Sequence, residues 1–90
     1  MSNPVIFEIP AGSWVPVAAN VTTGQIWEMS TAPIMYLQTY RDTGGIAPTL
    51  ESEGVIIFLN DNNIPISANA GIDIYIWAKG GDGRIRVDLP

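Results

Sequence analysis

The sequence predicts an all-β chain, a single antiparallel β-sandwich or small β-barrel of about seven or eight short strands. Three observations predict it. Helix signals are nearly missing: seven prolines and nine glycines divide the 90 residues at short intervals, and no stretch carries a breaker-free i, i+3, i+4, i+7 apolar pattern. Period-two alternation of apolar and polar residues recurs along the chain. Clusters of Gly, Pro, Asn and Asp stand between the alternating segments, where turns need them.

Val5-Ile6-Phe7-Glu8-Ile9 places Val5, Phe7 and Ile9 on one face of a strand. Ahead of Pro10-Ala11-Gly12-Ser13, a turn cluster, residues 1–9 read as a first strand or as an extended arm that pairs with a neighbouring sheet edge. Trp14 to Val17 reads as a short strand that Pro16 demotes to an edge or a bulge. Thr23-Gly24 reads as a turn, with a strand climbing from Gln25 to Met29, and Ser30-Thr31-Ala32-Pro33 as a tight connection. Ile34 to Tyr40 places Ile34, Tyr36 and Tyr40 on one face and Met35 and Leu37 on the other, as in a central or covered strand. Arg41 to Thr49 is a loop, and Glu51 to Gly54 has room for one helical turn. Val55 to Leu59 reads as a core strand, Asn60 to Asn63 as a turn and Ile64-Pro65-Ile66 as a short edge piece. Ile72, Ile74 and Ile76 alternate with Asp73, Tyr75 and Trp77. After the turn Gly80-Gly81-Asp82-Gly83, Ile85, Val87 and Leu89 alternate with Arg84, Arg86 and Asp88. The last two strands therefore read as a hairpin with one dry face. Nothing divides the chain, so residues 1–90 are expected to be one domain.

Composition narrows the chemistry. Hydrophobic residues make up 47% of the chain and charged residues 14%, against about 25% charged in an average globular protein. So few charges leave much of the surface uncharged, as expected where other chains cover part of it. Cysteine and histidine are both absent. That removes disulfides, thiol catalysis, Ser-His-Asp triads and the common Cys/His metal sites. Missing cysteines also fit a cytoplasmic site of synthesis. The N-terminus lacks the basic and long apolar regions of a signal peptide, and no apolar run approaches the ~18 residues of a membrane span. The net charge of −5, with Arg41, Lys79, Arg84 and Arg86 the only basic residues, disfavours phosphate-rich partners and hence nucleic acid.

Motif tests exclude more than they find. Asp61-Asn62-Asn63 runs into Ile64-Pro65 without the glycine and closing glutamate of a calcium loop. Gly80-Gly81-Asp82-Gly83 leads into a strand, whereas a phosphate loop leads into a helix N-terminus. Glu8, Glu28, Glu51 and Glu53 offer carboxylates, but nothing places a pair across a cleft, so they read as surface acids. No cofactor, metal or catalytic residue is expected. What remains is a contact surface. Trp14, Trp27, Tyr75, Trp77, Arg84 and Arg86 are of the types enriched at interface hot spots. The hairpin reading sets Tyr75 and Trp77 beside Arg84 and Arg86, where a guanidinium can stack on a ring.

The run Ala47-Pro48-Thr49-Leu50-Glu51-Ser52-Glu53-Gly54-Val55 and the ending Ile74-Tyr75-Ile76-Trp77-Ala78-Lys79-Gly80-Gly81-Asp82-Gly83-Arg84-Ile85-Arg86-Val87 resemble small virion proteins of tailed bacteriophages. The resemblance covers about residues 25 to 89, including the strand from Ile34 to Gln38 and its small-residue loop. It implies a β-sandwich or β-barrel that decorates or cements the capsid, or sits at a head fibre or tail connection. It further implies an oligomer, with a trimer favoured, and no catalysis. The expected partners are the major capsid protein or other virion proteins, and the expected location is the virion, assembled from protein made in the host cytoplasm. A carbohydrate- or host-surface-binding module of a fibre or tail is the alternative. That alternative predicts exposed, coplanar tryptophans.

Overall fold

The computed structural model describes residues 4–29, 36–42, 44–58 and 63–89. They form six strands in chain order: β1 (Val5–Ile9), β2 (Trp14–Glu28), β3 (Tyr36–Asp42), β4 (Val55–Phe58), β5 (Asn63–Lys79) and β6 (Gly83–Asp88). A single 3-10 turn, Glu51–Glu53, lies where the helical turn was expected. All six strands belong to one antiparallel sheet in the order β1-β6-β2-β5-β3-β4. The all-β expectation holds at this level. Among the described residues the sheet is open, with β1 and β4 as its edges.

Two strands are far longer than expected. β2 spans 15 residues and β5 spans 17, and they pair with each other along most of their length. The expected short strand at Trp14–Val17, the turn at Thr23-Gly24 and the strand from Gln25 are one continuous strand. The expected edge piece Ile64-Pro65-Ile66 is the beginning of β5, with Pro65 opposite Gln25. Register shifts between Pro16 and Ala18, Ala18 and Val21, and Val21 and Thr23 absorb the bend of β2. Extra residues on one strand of a pair bend that strand and increase its twist. Asn20 supplies one such kink in a left-handed conformation (φ 52°), which asparagine tolerates better than most residues. The Asn20 backbone N–H donates to the Asp73 carboxylate at 2.9 Å.

The expected hairpin of the last two strands is overturned. β6 pairs with β1 and with the second half of β2, while β5 pairs with β2 and β3. β2 lies between β5 and β6. The loop from Gly80 to Asp82 therefore crosses a strand, and it is pinned to the first turn: Asp82 Oδ1 accepts the Ala11 N–H at 2.9 Å, and Gly12 N–H donates to the Ala78 carbonyl at 3.1 Å. Val55 to Phe58 form an edge strand, not a central core strand. β3 sits between β5 and β4, the interior position expected of it. Ser30–Pro33, Ile34, Met35, Leu59 and the turn residues Asn60 to Asn62 lie outside the described residues.

Alternation decides the core. Ile72, Ile74, Ile76 and Ala78 of β5 are buried, joined by Ile9, Val17, Ile26, Ile66, Ile85 and Val87 from β1, β2, β5 and β6. Phe7 and Leu89 pack against this cluster. Opposed residues of antiparallel strands share a face, so the Val15–Ile76–Thr39 row points to the core. The next row, Trp14–Trp77–Gln38, points away.

Candidate interaction surface

The six residues expected at a contact surface divide into two separate groups, Trp14, Tyr75 and Trp77 in one and Trp27, Arg84 and Arg86 in the other. The first group is built on the non-core face of β2, β5 and β3. The register aligns Trp14 with Trp77 and Gln38, and Pro16 with Tyr75 and Tyr40. Trp14 and Trp77 meet edge to face with ring centroids 5.5 Å apart at 64°, and Trp14 meets Tyr40 at 6.2 Å and 62°. Tyr40 and Tyr75 are 6.3 Å apart at 56°. These are the tilted geometries that aromatic quadrupoles favour, worth about 0.5–1.5 kcal/mol per pair beyond burial.

The segment from Gly44 to Gly54 lies against this layer. Trp14 Nε1–H donates to the Leu50 carbonyl at 3.1 Å, and Lys79 Nζ pairs with Glu51 at 2.7 Å. The Asp42 carboxylate accepts the backbone N–H groups of Gly44 (3.0 Å) and Ile46 (2.6 Å), which starts the loop. Gly54 approaches so closely that a Cβ there would stand 2.5 Å from the Trp14 ring and 3.1 Å from Gln38 Cβ. Glycine is required at this position by the neighbouring ring.

The second group lies on β6 and its neighbours. Arg86 sits opposite Ile6 on one side and Trp27 on the other. Its guanidinium lies over the Trp27 ring, 5.3 Å from the centroid. Asp88 Oδ2 accepts both Trp27 Nε1–H and Arg86 Nη2–H at 3.0 Å. Arg84 faces Glu8 across β1, with Nη2 2.7 Å from Oε1. Both side chains of that pair are more than half exposed, so it contributes at most about 1 kcal/mol.

The expected company of Tyr75 and Trp77 with Arg84 and Arg86 is thus corrected. With β2 between β5 and β6, Trp77 meets Trp14, Arg86 meets Trp27, and Arg84 meets Glu8. Sequence reasoning missed Tyr40, Gln38 and Leu50 as members of the aromatic layer. Tyr40 carried a signal, since its strand was legible, but its register against Tyr75 was not.

The geometry also speaks to what the rings can bind. The four rings are steeply inclined to one another, and Trp27 has a guanidinium over its face. The Trp14 and Trp27 indole N–H groups are both engaged within the chain. No flat, open aromatic platform is formed by these residues. The large apolar side chains most open to water are not the rings: they are Val5 (49% exposed) and Ile6 (55%) on β1, Met29 (38%), and Ile46 (72%) and Leu50 (61%) on the loop over Trp14. Among the described residues no three His, Cys, Asp or Glu side chains gather as a metal site. Several acids act instead as acceptors for backbone N–H groups: Asp42, Asp73 and Asp82 each hold a bend or turn.

Among the described residues three buried polar atoms depart from this pattern: Gln38 Oε1, Arg86 Nε and Asp88 Oδ1 have no hydrogen-bond partner. Gln38 is 4% exposed, and its Oε1 has no hydrogen-bond partner. An orphaned buried acceptor costs about 1–3 kcal/mol. Gln38→Met keeps the length of the side chain and removes the acceptor. It is expected to raise the unfolding free energy by about 1 kcal/mol, read as a higher midpoint in urea titration.

No family model matches the chain, and no curated protein or solved structure matches it at a significant level.

Proposed function

We propose that the chain is a non-enzymatic structural protein of a phage virion, a decoration or cement protein that stabilises the assembled head through protein–protein contacts. The observation that carries this reading is the set of exposed aliphatic side chains Val5, Ile6, Met29, Ile46 and Leu50, on a chain with four basic residues. Such a surface suits broad apolar and hydrogen-bonded contact with protein rather than with phosphate. The resemblance of residues 25 to 89 to tailed-phage virion proteins points the same way. The reading includes a homo-oligomer, with a trimer favoured, seated on major capsid protein or another virion protein. Repeated capsid sites then multiply a modest affinity. It also includes the finer architecture, a β-sandwich or small barrel. The register shifts along the β2–β5 pair, and the one core to which β1, β2, β5 and β6 all contribute, support that architecture.

The steep angles between the rings favour this reading over a carbohydrate-binding module, which stacks sugars on open faces. The test is made on particles. Virions assembled without the protein are expected to lose infectivity at lower temperature and on osmotic shock, and added purified protein is expected to restore resistance. Equal resistance of particles with and without it would sink the cement role.

A further inference from the structure

We propose that β1 is an exchangeable arm: the Val5–Ile9 strand of one copy pairs with β6 of another copy, using the same contacts it makes within its own chain. The inference deepens the oligomeric part of the proposed function and names the segment that joins the copies.

Four features carry it. β1 is an edge strand, and among the described residues its ladder is made with one strand, β6, from Val5↔Val87 to Ile9↔Gly83. Among the described residues no other strand pairing is broken if it leaves. The site it would vacate is specific. Ile9 is fully buried, Phe7 packs on the core, and Glu8 meets Arg84. An identical strand from a second copy fills the same hole and restores the same ion pair. Exchange of an identical element thus keeps every native contact, which makes it a low-cost route to an assembly.

The pivot is also defined. Ala11 and Gly12 are held by Asp82 and the Ala78 carbonyl, and Gly12 is in the left-handed region (φ 84°). The swing is therefore confined to Pro10, an exposed residue whose ring fixes its φ. A short connection of this kind invites exchange, because it leaves the arm little room to fold back onto its own chain. Finally, the arm docked on its own chain leaves Val5 and Ile6 about half exposed. An exchanged arm runs between two bodies, where a second copy lies close enough to cover them.

The chain has no cysteine, so a disulfide can report the pairing without background. Glu8 and Arg84 are directly opposed and exposed. Opposed antiparallel residues stand about 4.5–5.5 Å apart at Cα, within disulfide reach. The double variant Glu8→Cys/Arg84→Cys is oxidised at high protein concentration and run on a non-reducing gel. Exchange predicts covalent dimers or trimers, according to whether arms are traded reciprocally or around a ring. A disulfide-bonded monomer alone overturns the proposal. A mixture of the two single variants, unfolded and refolded together, should link Glu8→Cys chains to Arg84→Cys chains to the near exclusion of either homodimer. Comparable amounts of the three products count against it. If the first pair does not fold, Ile6→Cys/Arg86→Cys probes the same ladder. Light scattering separates the two readings. An oligomer whose disulfides close only within chains sinks the exchange and leaves the oligomer. Monomers at every concentration sink both.

Discussion

Replacing Ile76 with alanine is expected to cost about 2–5 kcal/mol, the range for deleting buried aliphatic groups from a packed core. Ile76 is fully buried and lies in the row between Val15 of β2 and Thr39 of β3. It has paired strands on both sides and belongs to a cluster of ten buried residues, so collapse into the vacated space is restricted. A chain of this size has roughly 5–13 kcal/mol of total stability, and this single change removes a large share of it. Ile46→Ala is the control. Ile46 is 72% exposed, and surface truncations usually stay within about 0.5 kcal/mol. Urea unfolding of the two variants reads the difference directly. If Ile76→Ala shifted the midpoint no more than Ile46→Ala, the core would not lie on this face.

The Ile76 result also measures how much of the fold was written locally. The alternation of Ile72, Ile74, Ile76 and Ala78 against Asp73, Tyr75 and Trp77 was legible because a half-buried strand imposes period two on its sequence. β1, β6 and the turn at Glu51–Glu53 were legible for similarly local reasons. The long strands were not. Ser67 to Gly71 is small and polar, and Pro65 and Thr23-Gly24 carry turn chemistry. Yet all lie inside strands, because β2 and β5 stay paired on both sides of their register shifts. Pairing between residues some 40–60 positions apart overrode local preference, as tertiary context does for strands.

The topology was illegible for a different reason. Consecutive strands are neighbours about two-thirds of the time, which favoured pairing β5 with β6. Here β2 enters between them. That one insertion moved Arg84 and Arg86 away from Tyr75 and Trp77 and gave them Glu8 and Trp27. The types of residue at the candidate surface were therefore readable, while their partners depended on long-range register. The opposite charges of Glu8 and Arg84 were the one local hint of the β1–β6 ladder.

Gly24→Ala is expected to be nearly as damaging as the core truncation, although the residue is in the interior of an apparently ordinary strand. Two independent costs meet there. Gly24 has φ of 152°, a conformation that side-chain-bearing residues rarely adopt and that costs on the order of 1–3 kcal/mol when imposed. A Cβ would also stand 2.8 Å from the Asp88 carbonyl oxygen and 2.8 Å from Leu89 Cδ2, with Ile66 Cδ1 at 3.3 Å. The leucine tip can turn aside, but the carbonyl belongs to the backbone where β6 runs beside β2. The strands must separate, and overpacking of this kind adds about 1–3 kcal/mol. The combined loss corresponds to a fall in melting temperature of roughly 10–30 °C for a chain this short. The same glycine that reads as a turn in the sequence is thus a point of close approach between β2 and the end of β6. Thermal unfolding distinguishes the two roles. A turn with no close neighbour would show only the conformational cost, and Gly24→Ala and Gly24→Val would then melt alike. Close approach predicts that Gly24→Val is clearly the worse of the two, because each added methyl group enters space that Leu89 and Ile66 already fill.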